Sequence, residues 1–205
     1  GDRLRESLGI LPEETVVCTA AMMRPGRKAE GVRIVIDALA ALRQRGLNAH
    51  LLVAGDGPGA PALRSRAAEK LEDAAHFLGQ LSHHQMVAAY SASDLFAFPG
   101  IREALGMVYL EAQAARLPVA AYSNGGVSEA VQHGITGLLT PVNDEKAYTE
   151  ALELLILDKD LRLRMGQAAV RYAEEERDIE SKVRAMEEIF YRYLEKSKGH
   201  GSEVG

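Results

Sequence analysis

The sequence predicts a doubly wound α/β fold with a parallel sheet, and three observations carry that prediction. Short apolar runs alternate with longer amphipathic stripes, the runs are apolar on both faces, and glycines gather where a run hands over to a stripe. Six runs read as strands: TVVCTAA (15–21), NAHLLVAG (48–55), HFLG (76–79), DLFAFP (94–99), PVAAY (118–122) and GLLT (137–140). Strands alternating with helices in this way give a parallel sheet covered on both faces, with ligands taken where loops leave the carboxyl ends of the strands.

The elements follow in order. Val32, Val35, Ile36, Leu39 and Leu42 recur at i, i+3, i+4 and i+7, which sets one buried face of a helix after the first strand. Ser82 and Gln85 form a capping-box pair that starts a helix reading HHQMVAAYSA. Pro118 opens the fifth strand, where no ladder donor is yet needed. From Asn143 onward the pattern is helical, with Asn143 and Asp158 as N-caps and Leu152, Leu155, Ile156, Leu161 and Met165 as apolar partners. Residues 175–196 predict one more amphipathic helix, with Ile179, Val183, Met186, Ile189, Phe190 and Tyr193 along one face. The tail SKGHGSEVG is polar and glycine-rich, so the expected organisation is one domain over 1–196 and a disordered tail over 197–205.

Length and composition bound the rest. A chain of 205 residues fills one core rather than two, and 47% hydrophobic with 26% charged residues is ordinary globular usage. A net charge of -5 and a pI near 5.7 argue against nucleic acid as a partner, because counterion displacement from phosphates needs a basic face. The single Cys18 sits in an apolar run and reads as a buried free thiol, so no disulfide closes within the chain. No run approaches the about 18 apolar residues that span a bilayer, and the start lacks the apolar core of a signal peptide. Beginning at Gly1 with a polar stretch, the sequence reads as a piece of a longer chain.

The chemistry gathers in PGIREALGMVYLE (99–111), where a loop leaving a strand carries Glu103 and the following helix carries Glu111. Helical rise from Gly106 to Glu111 is about 7.5 Å, which puts the two carboxylates on the order of 10 Å apart. A hydrolytic pair needs them about 5 Å apart for retention or about 6.5–9.5 Å for inversion, so that chemistry is disfavoured. Two acceptors at the wider spacing suit opposite ends of one elongated ligand, each taking hydrogen bonds from vicinal hydroxyls. Between them the amides of Leu105, Gly106 and Met107 open a helix, a ready seat for a diphosphate, and Gly106 permits close backbone approach.

On these residues the sequence resembles the retaining glycosyltransferases of family 4, whose C-terminal domain carries this Glu-x7-Glu element. The likeness includes VAGDGPG after the second strand, FLGQLSHHQMVAAYSASDLFAFPG before the element, PVAAYSNGGVSEAV after it, and GITGLLTPVND before the last helices. It implies a Rossmann-like domain, the C-terminal half of a GT-B fold with extra C-terminal helices, which binds a nucleoside diphosphate sugar as donor substrate and needs no other cofactor or metal. It further implies that Glu103 contacts the transferred sugar, Glu111 holds the ribose, backbone near Gly106 meets the diphosphate, and Gly79 to Leu81 flank the base. The acceptor, whether glycan, lipid-linked or a small molecule, would sit on an N-terminal domain of the same enzyme. A cytoplasmic location follows, with the inner face of the membrane an option for the full-length enzyme.

The resemblance also implies a basic pair in the loop after the first strand, which here reads MMRPGRKAEG. The family's usual Lys-Gly step is Glu30-Gly31, so Arg24, Arg27 and Lys28 must supply the positive charge from shifted positions. Arg116 stands where the family usually has glycine, and Gly100 replaces a common serine. Two alternatives stay open: another enzyme of the GT-B fold, such as a phosphorylase or a sugar-nucleotide epimerase, and a non-catalytic module that binds nucleotide sugars.

Other features have plainer readings. Gly55-x-Gly57-x-x-Ala60 imitates a dinucleotide fingerprint but reads as a tight turn, since a βα unit already precedes it. Asp158-Lys-Asp160 imitates a metal-binding Asp-x-Asp but opens a helix, where capping explains both acids. His83, His84 and His133 lack metal-ligand spacing and read as polar or turn residues. Glu129, on a helix started by Gly125-Gly126, could reach the same cleft as Glu111.

Overall fold

A computed structural model of the chain describes residues 1–101 and 106–176. The elements run α1 (Asp2–Ser7), β1 (Thr15–Ala20), α2 (Arg27–Gln44), β2 (Ala49–Ala54), α3 (Ala60–Leu71), β3 (Ala75–Gly79) and α4 (His83–Ser91). They continue with β4 (Leu95–Ala97), α5 (Met107–Ala114), β5 (Val119–Tyr122), α6 (Gly125–Ala130), β6 (Gly137–Thr140), α7 (Glu145–Leu157) and α8 (Lys159–Glu176). All six expected strands are present in one sheet of order β3-β2-β1-β4-β5-β6, and every pairing is parallel. This is the doubly wound, Rossmann-like order, which reverses direction between β1 and β4.

Burial on both faces explains why the strands read as unbroken apolar runs. Val16, Val17, Cys18 and Thr19 on β1 are wholly buried, as are Leu51, Leu52 and Val53 on β2. Burial raises the Cys18 thiol to about 12, so it stays protonated and inert. α2 packs on α3 and α7, whereas α5 packs on α6 and α8. The predicted stripe of α2 is buried and Ile34 joins it, because the helix meets neighbours on two sides.

Charged side chains tie the α2 layer together. Asp37 on α2 accepts from Arg66 (2.8 Å) and pairs with Lys70 (3.1 Å), both on α3, while Arg33 reaches Asp37, Glu30 (2.7 Å) and Glu145 of α7 (2.7 Å). Burial would raise the Asp37 carboxyl, but the bonds from Arg66 and Lys70 outweigh it and hold it below its ordinary value. α1 is an element the sequence reading missed. Arg5 anchors it, donating to the Ala92 carbonyl (2.8 Å) and to Asp94 (2.7 Å), and Asp94 also accepts from the Val16 amide (2.7 Å).

The expected caps divide. Ser82 and Gln85 exchange both bonds of a capping box, and Asp158 accepts from the Leu161 amide at 2.8 Å to open α8. Asn143 does not cap α7. It adopts φ +64 in the preceding turn, a backbone that asparagine tolerates, and Asp144 caps instead by accepting from Ala147 at 2.9 Å. The predicted helix beyond residue 176, the tail and the domain end at 196 lie outside the described residues.

Near the amino end of the sheet His50 and His76 are hydrogen-bonded at 3.2 Å with stacked rings, and His50 pairs with Glu14 at 3.2 Å. Burial, then the neighbouring His50, pushes the His76 imidazole below its ordinary 6.5. The unfolded chain therefore takes up this proton first, and stability is lost as pH falls from 6.5 through the depressed value. Urea midpoints measured from pH 7.5 to 5 should fall over that window, and His76→Asn should flatten the slope.

A second prediction concerns Gly55, at φ +109, where a Cβ would lie 2.0 Å from the Ala21 carbonyl oxygen. Gly55→Ala should cost on the order of 3 kcal/mol in urea unfolding. Gly46, at φ +88 with nothing within 4 Å of a Cβ, supplies the control, since Gly46→Ala meets backbone strain alone and should lose about 1 kcal/mol.

Candidate functional site

Past the carboxyl ends of β1, β2 and β3 the main chain stays bonded to itself. Ala21 donates to Ala54 (3.1 Å), Met23 to Asp56 (2.9 Å), Gly59 to Met23 (2.8 Å) and Gly55 to Gly79 (2.7 Å). Gly55 and Gly57 both have positive φ, and side chains there would strike the carbonyls of Ala21 and Met23. The GDGPG segment is thus a tight turn pressed against the β1–α2 loop, as its glycines suggested. Asp56 Oδ1 accepts from the Gly57 amide at 2.8 Å and braces it.

Over this floor opens a cavity of about 990 Å³ at the β1/β4 reversal. Its walls come from the β1–α2 loop (Met22, Arg24), Lys28 of α2, the 54–58 turn, the segment after β3 (Gln80, Leu81), Met86 of α4, and Met107, Val108 and Glu111 of α5. Crevices of this kind, outside the strand ends at a topological switch, are where doubly wound sheets take ligands.

Gly106 makes the amino end of α5. It sits at φ +62, and a Cβ there would lie 2.7 Å from the Ala130 side chain and 2.8 Å from the Gly126 carbonyl, so only glycine fits. The Gly106 carbonyl takes the amides of Tyr109 (3.0 Å) and Leu110 (3.4 Å), and no side chain caps the helix. Met107 and Val108 are the first two residues of α5, where an α-helix has no internal partner for its amides, and both line the cavity. One turn on, exposed Glu111 stands on the wall, with the Tyr90 hydroxyl donating to its Oε2 at 3.4 Å.

The expected site residues separate accordingly. Arg24, Lys28, Leu81, Met107 and Glu111 line this one cavity. Arg24 is exposed; Lys28 is half-buried, with its ammonium 5.4 Å from the centre of the Phe98 ring. Arg27, the first residue of α2, lines a neighbouring groove with Glu30, Arg33 and Arg66. Gly79 lies beneath the wall, where its carbonyl accepts from Gly55. Gly106 supports the helix end without lining the space. Glu103 and Leu105 fall outside the described residues. Glu129 does not line the cavity; its carbonyl accepts from Tyr172.

The departures from the family pattern acquire physical content. Glu30 turns to Arg33 and away from the cavity, whose cations come from Arg24 and Lys28. Arg116 has φ +65 in the turn that ends α5, a backbone that explains the usual glycine, and it borders a different groove. At Gly100, with φ +69, a Cβ would meet the Tyr109 hydroxyl at 2.0 Å. Tyr109 instead donates to the Phe98 carbonyl (3.1 Å), and Asn124 donates to that of Gly100 (3.0 Å), fixing the exit of β4.

Sequence reasoning missed Met22, Met86 and Val108, whereas Gln80 falls within the expected 79–81 segment. Each of the three is an apolar side chain without motif character, and only its place after a strand or on a facing helix could have marked it. His133 Nδ1 accepts from the Leu139 amide at 3.0 Å, a turn role as read. Among the described residues no group of three or more His, Cys, Asp or Glu could hold a metal ion, and no helix is long and apolar enough to cross a membrane.

Comparison with known proteins agrees with this architecture. The chain is 36% identical over 179 residues to a D-inositol 3-phosphate glycosyltransferase of Corynebacterium glutamicum, covering 84% of this chain and 42% of that protein. It is 34% identical over 174 residues to a GDP-mannose-dependent alpha-(1-6)-phosphatidylinositol monomannoside mannosyltransferase of Mycobacterium tuberculosis, covering 81% and 44%. The chain thus spans less than half the length of these relatives. The crystal structure of Anabaena HepE in complex with UDP and glucose superposes with a TM-score of 0.76 at 26% identity, over 93% of this chain and 51% of that one. The profile of the family described as glycosyl transferases group 1 matches residues 2–172, and the chain belongs to that family.

Proposed function

We propose that this chain is the donor-binding, C-terminal half of a retaining glycosyltransferase of the GT-B type. It would move a hexosyl group from a nucleoside diphosphate sugar to an acceptor held by an N-terminal domain. One observation carries the proposal: the amino end of α5, Glu111, Arg24 and Lys28 converge on a single cavity at the β1/β4 reversal. Relatives named as glycosyltransferases, and a structural neighbour solved with UDP and glucose, support it.

In this reading the diphosphate lies against the Met107 and Val108 amides, with Gly106 allowing its approach. Departure of the nucleoside diphosphate builds negative charge, which Arg24 and Lys28 stabilise together with the helix end. Arg27, in the next groove, adds to the positive potential at the loop. Glu111 accepts from the ribose hydroxyls, and the segment from Gly79 through Leu81 flanks the base. Glu103 and the Leu105 amide complete the sugar end of the site by resemblance to the family. No metal and no cofactor besides the donor is required. The protein would work in the cytoplasm, with the inner face of the membrane available to the full-length enzyme for a lipid-linked acceptor.

Titrating the chain with UDP, GDP and ADP while following amide resonances tests the reading. At least one should saturate and shift residues 22–28 and 106–111; no saturable binding of any of them would overturn it. Lys28→Ala and Arg24→Ala should each weaken the diphosphate by about 1.5–3 kcal/mol while leaving the corresponding nucleoside little affected. The chain by itself should transfer no sugar, because the acceptor half is elsewhere; turnover by the 205-residue chain would contradict the division of labour.

A further inference from the structure

Glu111 is exposed on the cavity wall, and a glutamate side chain left to itself samples many rotamers. A carboxylate that must meet two neighbouring hydroxyls works best when one of its oxygens is already oriented. Tyr90 is placed to do this. It belongs to α4, is only 4% exposed, and its hydroxyl donates to Glu111 Oε2 at 3.4 Å.

The ring of Tyr90 is fixed from below. It meets Phe96 of β4 edge to face at 6.1 Å, and Phe96 meets Tyr109 of α5 in the same manner at 5.9 Å. Tyr109 in turn holds the Phe98 carbonyl at the exit of β4. One aromatic series therefore spans α4, β4 and α5. It braces the helix that carries Glu111 and the exit of β4.

We propose that Tyr90 is a positioning residue for Glu111, orienting its carboxylate for the ribose of the bound nucleotide through the Tyr90 hydroxyl. This rests on the reading of Glu111 as the ribose acceptor. The carboxylate only accepts, so the phenol must donate to Oε2. A phenylalanine at 90 would fill the same space, so the hydroxyl, not the ring, is what the proposal concerns.

The test compares UDP and GDP with their 2′,3′-dideoxy forms by calorimetric titration of the chain and of Tyr90→Phe and Glu111→Gln, with melting scans to verify folding. Tyr90→Phe should weaken the ribonucleotide about three- to tenfold and leave the dideoxy form unchanged. Equal loss for both ligands would mean that the hydroxyl serves the fold, and no loss for either would mean that it does nothing here; both overturn the proposal. If Glu111→Gln abolishes the preference for the ribonucleotide while Tyr90→Phe keeps it, this inference alone fails. If Glu111→Gln keeps the preference, the ribose reading fails and carries this one with it, as does absence of binding by both nucleotides.

Discussion

The reversal of strand order at β1 and β4 is the constraint from which the candidate site follows. Right-handed crossovers that leave neighbouring strands in opposite directions send their helices to opposite faces of the sheet. α2 accordingly packs with α3 and α7, and α5 with α6 and α8. Between the two departing chains a crevice has to open, and it opens at the carboxyl edge, where helix amino ends also point. Arg24 of the β1–α2 loop, Lys28 at the start of α2 and the amide end of α5 face one space for that reason. The acidic residue one turn into α5 shares it because a helical turn rises only about 5.4 Å.

Much of this was legible in the residues. Strands buried on both faces, such as β1 and β2, leave unbroken apolar runs, and helix starts such as Ser82 with Gln85 announce themselves locally. Glu111 could be picked out because glycine, helix start and carboxylate follow one another along the chain, whereas Glu103 lies outside the described residues. Arg27 and Lys28, adjacent in sequence, could not be separated, since one step along a helix turns a side chain by about 100° and only packing decides which one faces the crevice. Arg5 carried no local signal, because its partner Asp94 is 89 positions away. Tyr90 and Glu111 are likewise brought together only by the stacking of α4 and α5 across β4.

The departures from the family pattern are local exchanges rather than losses. Glu30, at the position usually held by lysine, enters an ion-pair network with Arg33 on the helix flank, while Lys28 rests against Phe98 and lines the cavity. Gly100 gives up the usual serine where the Tyr109 hydroxyl occupies the space a side chain would need. Each exchange keeps a cation near the crevice and a fixed exit from β4, although the residue that supplies the contact has changed.

The bonds that join the β1, β2 and β3 exits run from peptide to peptide, through Ala21, Met23, Gly55 and Gly59. Such a platform is nearly indifferent to which side chains project above it. Exposed Met22 and Met107 could therefore be replaced, reshaping the hollow while its foundation stays put.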